Sequence, residues 1–121
     1  MDTERLLVVC GTILLAAAAL LGYVQHWHRQ RPTEFARWRV VHAGGTAGAV
    51  QLIGLAAVWR YFEHGVSSTL LAIGVTAATF AFFLGPLAAA LNWPKMARSL
   101  LAVGAAVALP AYVALPLVLF L

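Results

Sequence analysis

Among the side chains able to do chemistry, His42 stands out, because it sits inside an apolar stretch only three residues past Arg39. On a helical rise of about 1.5 Å per residue it lies about 4.5 Å deeper than that guanidinium, just within the edge of a hydrocarbon layer. The residues that follow, Ala43-Gly44-Gly45-Thr46-Ala47-Gly48-Ala49, include no bulky side chain. Helical spacing puts Gly45, Thr46 and Ala49 at i+3, i+4 and i+7 from His42, on its own face. An imidazole beside a smooth small-residue surface suits a flat metal macrocycle, with nitrogen to iron and backbone close to the ring. The other reading is an interfacial histidine bonded to a carbonyl, and spacing alone leaves both open.

The remaining polar groups are few. His26 and His28 are two residues apart and point to different sides of any helix, so they make a poor metal pair and read as a solvated interfacial loop. His64 falls at the opposite membrane face, separated from His42 by about 30 Å of hydrocarbon. Arg29, Arg31, Arg37 and Arg39 border the His42 level, where guanidinium groups would pair with the carboxylates of such a macrocycle. Gly44-x-x-x-Gly48 reads as a helix-packing motif on a second face, with Gln51 as an interhelical hydrogen bonder. Thr76, Thr79 and Tyr112 are further polar groups within the apolar stretches, which hold no Asp, Glu, Lys or Arg. That argues against a proton pump, an ion channel or a charge-coupled transporter. It also removes paired carboxylates and a Ser/His/Asp triad. Cys10 is alone, so neither a disulfide framework nor a thiolate metal cluster is available, and it reads as a small buried hydrophobe.

These residues are carried by elements that belong in lipid. Of the 121 residues 63% are hydrophobic and 10% charged, and the mean hydropathy is +0.89. Apolar stretches over Leu6–Val24, Val40–Trp59, Ser67–Leu91 and Leu100–Leu121 each approach the roughly 20 residues of a spanning helix. The expectation is an all-α, polytopic integral membrane four-helix bundle, with residues 1–121 as a single transmembrane domain. The leader Met1-Asp2-Thr3-Glu4-Arg5 is net acidic where a signal peptide has a basic region, so the first span reads as a retained helix. Gln25–Arg39, Arg60–Val66 and Asn92–Ser99 read as loops, short enough to make consecutive helices antiparallel neighbours.

The first and third loops carry Arg29, Arg31, Arg37, Arg39, Lys95 and Arg98, against Arg5 and Arg60 on the other side. The positive-inside rule therefore puts both termini outside the cytoplasm, in what reads as a bacterial inner membrane. Trp27, Trp38 and Trp93 read as anchors at the inner interface, and Trp59, Tyr61 and Phe62 at the outer one. Pro86, Pro110 and Pro116 mark possible kinks in the last two spans.

Three segments, Val9-Cys10-Gly11-Thr12-Ile13-Leu14-Leu15, Trp38-x-x-x-His42-Ala43-Gly44 and Ala108-Leu109-Pro110-Ala111-Tyr112, carry a likeness to known proteins. Through them the chain resembles the styrene oxide isomerase family of small four-helix haem b membrane enzymes. The resemblance implies haem b as cofactor, His42 as axial ligand and a trimer with haem at the subunit contacts. It also implies an apolar epoxide as substrate, rearranged to a carbonyl by ferric haem acting as a Lewis acid. Gly48 stands where the family has an asparagine, and Ala78 and Pro86 stand where it has an aspartate and a tyrosine. The cofactor-binding set expected here is His42, Gly45, Thr46, Trp38 and Arg39, with Phe80, Phe82, Phe83 and Tyr112 as candidates for an aromatic pocket wall. Catalytic side chains are not assigned. Two further classes stay in view: a b-type electron carrier with His26 or His28 as second ligand, and a cofactor-free structural or accessory membrane protein.

Overall fold

In the computed structural model, which describes residues 2–62 and 65–119, the chain folds as four long antiparallel helices: α1 (Thr3–Trp27), α2 (Pro32–Val58), α3 (Val66–Ala90) and α4 (Pro94–Leu119). All four are long and apolar enough to cross a membrane, and no strand occurs among the described residues. α1, α2 and α4 begin three to eight residues before their apolar stretches, because hydropathy marks what lies in lipid while capping chemistry marks where a helix ends.

At the start of α1, the Asp2 carboxylate accepts from the Arg5 amide at 2.7 Å. The largest difference from the expected elements is the first loop. Most of Gln25–Arg39 is helical: α1 runs on to Trp27, and α2 begins at Pro32, a residue preset for the first helical position. Only His28–Arg31 turn, held by Arg31 N donating to the His28 carbonyl at 2.8 Å.

The α3–α4 corner is equally specified. Asn92 adopts a left-handed φ of 61°, which asparagine tolerates better than most residues. It donates from N to the Ala89 carbonyl at 3.1 Å, and Trp93 N donates to the Ala88 carbonyl at 2.8 Å. This pair closes α3 as a Schellman motif, and Pro94 then opens α4.

Packing follows chain order. α1 lies along α2, α2 against α3 and α3 along α4, while α1 touches α3 only lightly. α4 is thus the outermost helix, most of it facing outward. Leu7, Leu14, Val41, Leu52, Val75 and Phe83 form the buried centre, and small residues bring backbones close where side chains would hold them apart.

Two positions differ from their sequence-based roles. Trp59 is fully buried and stacks on Phe62 at 5.6 Å, so this pair belongs to the core and not to an aromatic belt. The cause is a single 3₁₀ turn at Trp59–Tyr61 that ends α2. Trp27 and Trp93, by contrast, are 83% and 54% exposed. His64 lies outside the described residues.

Candidate functional site

His42 sits in the first half of α2 and turns toward α1. Its Nδ1 lies 2.6 Å from the Ala18 carbonyl oxygen. A carbonyl can only accept, so Nδ1 carries the proton, and in the neutral ring the lone pair is left on Nε2. The contact depends on Gly22, one turn after Ala18 in α1. A Cβ on Gly22 would stand 3.0 Å from Cε1 and 3.1 Å from Nδ1 of the imidazole, so the ring occupies the space a side chain would take. Nε2 has no hydrogen-bond partner among the described residues and is not sealed inside the bundle.

Thr46, one turn on from His42, donates its hydroxyl to the His42 carbonyl at 2.9 Å and shares the half-buried face. Gly45 does not line an open surface. A Cβ there would meet Phe83 Cε2 at 2.8 Å and Ala18 Cβ at 2.9 Å, so Gly45 packs inside the bundle. Gly48 behaves likewise, against Thr79 and Leu14. Gly44, by contrast, has nothing within 4 Å. The packing glycines are therefore Gly45 and Gly48, not Gly44 and Gly48, because α2 presents the edge between the two expected faces to α3.

Trp38 and Arg39 lie one turn nearer the interface. The Trp38 ring is half-buried under His28, with centroids 5.9 Å apart and planes 21° apart. Arg39 is exposed and makes no hydrogen bond or ion pair among the described residues. His28 is fully engaged: Nδ1 bonds the Val24 carbonyl at 2.8 Å and Nε2 lies 3.2 Å from Glu34 Oε2. It is a bracket between α1 and α2 rather than a solvated loop residue or a free ligand.

His26 points elsewhere. Arg29 donates to its Nε2 at 3.0 Å, and it shares with Ala19, Gly22 and Tyr23 an open groove of about 390 Å³ along α1. The aromatic candidates do not form one wall. Phe83 is buried over Gly45, Phe82 is 41% exposed near Gly104, Phe80 is packed against the core, and Tyr112 OH takes a hydrogen bond from the Gln51 amide.

No group of three His, Cys, Asp or Glu converges among the described residues, too few ligands for a bare ion held by protein alone. A macrocycle brings its own equatorial nitrogens and needs one imidazole, and His42 is suited to supply it. Gly22 is the site residue that sequence reasoning passed over. The signal available was a lone glycine late in an apolar helix, otherwise a poor choice there. No protein-family description, curated protein or solved structure matches this chain.

Proposed function

We propose that this protein is a membrane-embedded, haem-dependent isomerase in which His42 Nε2 is the one protein ligand to a haem b. The observation that supports the reading is the unpartnered Nε2, left with the lone pair because Nδ1 is bonded to the Ala18 carbonyl, and not sealed inside the bundle. Metal-bound histidines characteristically give their second nitrogen to such an acceptor, which fixes the tautomer and raises ligand basicity. Gly22 leaves room for the imidazole in that orientation, and Arg39, exposed three residues before His42, would be a partner for a carboxylate of the cofactor.

When bound, ferric haem supplies a Lewis acid that polarises an epoxide C–O bond toward rearrangement to a carbonyl. The protein's part would be to supply the His42 Nε2 to the metal, with Nδ1 fixed on the Ala18 carbonyl. An apolar substrate reaches such a site through the lipid, and the absence of Asp, Glu, Lys and Arg within the apolar stretches suits a rearrangement that needs no general acid or base. A haem is about as wide as one helix, so the reading includes self-association, as a trimer, with the ring between protomers. It also includes a bacterial inner membrane with both termini outside, from the distribution of Lys and Arg.

A second reading has one observation in its favour. The groove carrying His26 adjoins Gly22, which would let a second imidazole close the sixth position and make the protein a b-type electron carrier. The visible spectrum of the detergent-purified protein separates the two: high-spin for an open position, low-spin bis-histidine for a closed one, colourless if no haem is held. His42→Ala should lose or shift the spectrum with helicity intact, while His28→Ala should leave it in place. Full, unaltered haem in His42→Ala would overturn the assignment.

A further inference from the structure

We infer that the protein carries, on the side of α2 turned away from His42, a binding site for one anionic phospholipid. The site is an opening of about 540 Å³ between the start of α2, the end of α3 and the start of α4. Val40, Pro86, Ala89 and Pro94 make its apolar surface, and Arg37 stands on its wall. A smaller hollow of about 210 Å³ shares Arg37, Ala90 and Asn92 with it.

Arg37 has one protein partner, the Asn92 side-chain oxygen, to which Nη1 donates at 3.2 Å. No carboxylate lies within ion-pair distance of it among the described residues. Glu34, which borders the smaller hollow, is engaged by His28 and by Arg31 at 3.4 Å. A guanidinium held by a neutral amide keeps most of its five donors and all of its charge for another group, and its planar fork matches a phosphate.

The depth fits the same occupant. The opening lies beside exposed Trp93, at the level of the helix-connecting turns, where headgroups are found. The small side chains of Ala89 and Ala90 and the ring of Pro86 give it an apolar wall along the last turn of α3, against which an acyl chain would lie. Charge at the interface and an apolar wall beside it together select an amphiphile over a free anion. Arg37 and Val40 face away from His42, so occupancy here does not depend on haem.

The test is native mass spectrometry of protein reconstituted in vesicles of equal parts phosphatidylglycerol and phosphatidylcholine, then released in mild detergent. The wild type should retain phosphatidylglycerol over phosphatidylcholine by about fivefold, the effect of one basic residue on an anionic lipid. Arg37→Gln should bring the ratio to that of the vesicles, Arg37→Lys should keep part of the preference, and Arg98→Gln should keep all of it. Ala89→Trp fills the opening without changing charge and should lose the bound lipid, which keeps the test decisive if Arg37→Gln folds poorly. Equal retention of the two lipids by the wild type, or an undiminished preference in Arg37→Gln, overturns the proposal. Displacement of the lipid by glycerol 3-phosphate at matched concentration also overturns it, by showing that the acyl chain is not recognised.

Discussion

The imidazole of His42 lies against Gly22, filling the volume that any larger residue at that position would claim. Ala18, whose carbonyl accepts from Nδ1, is one turn earlier on the same helix, so the ring is gripped by one turn of α1. Orientation of the imidazole therefore depends on an empty space as much as on a hydrogen bond.

Substitution of Gly22 should accordingly displace the His42 ring while residue 42 itself is unchanged. Gly22→Ala brings a Cβ within 3.0 Å of Cε1 and calls for a small shift of the ring. Gly22→Leu should expel the ring from its seat, break the bond to Ala18 and reduce haem retention in purified protein to the level of His42→Ala. Circular dichroism should show the helices intact in both variants, and a Gly22→Leu spectrum identical to wild type would remove Gly22 from the site.

The three neighbouring glycines of α2 should separate cleanly in stability. Gly45→Leu and Gly48→Leu force side chains into Phe83, Ala18, Thr79 and Leu14, and overpacking of this kind costs about 1–3 kcal/mol or more. Gly44→Leu projects into open space and should be near neutral. Thermal unfolding in detergent reads the difference; equal losses at Gly44 and Gly48 would contradict the packing described here.

Gln51 and Tyr112 form the polar tie between α2 and the outermost helix, α4. Intramembrane hydrogen bonds measured by double-mutant cycles average about 0.6 kcal/mol. A cycle of Gln51→Leu and Tyr112→Phe should give a coupling of that order, read from unfolding in mixed micelles. Strict additivity of the two changes would mean that the bond contributes nothing to holding α4.

Sidedness can be read with single cysteines in a Cys10→Ala background. Thr33 at the start of α2 and Ser67 at the start of α3 are both exposed and lie at opposite ends of the bundle. A membrane-impermeant thiol reagent should label them from opposite sides, with Thr33→Cys reached from the cytoplasm. Labelling of both from one side would contradict four spans, and the reversed pattern would contradict the orientation drawn from Arg and Lys.

Number, order and antiparallel arrangement of the helices were legible in the sequence, since burying an unbroken apolar run in lipid needs no partner and is decided residue by residue. Helix ends were less legible, because Pro32 and the Asn92 corner act through backbone geometry that hydropathy does not register. Which way each face turns was decided only in three dimensions. Spacing placed Gly45 beside His42 and Gly44 with Gly48, yet the angle at which α2 meets α1 and α3 buried Gly45 and Gly48 and left Gly44 bare. Trp59 was drawn into the core by one tightened turn, and His28 was removed from the pool of free ligands by Val24, Glu34 and Trp38. The seat for His42 came from α1, about 20 residues away in sequence, and such a pairing exists only once two helices are packed at a definite rotation.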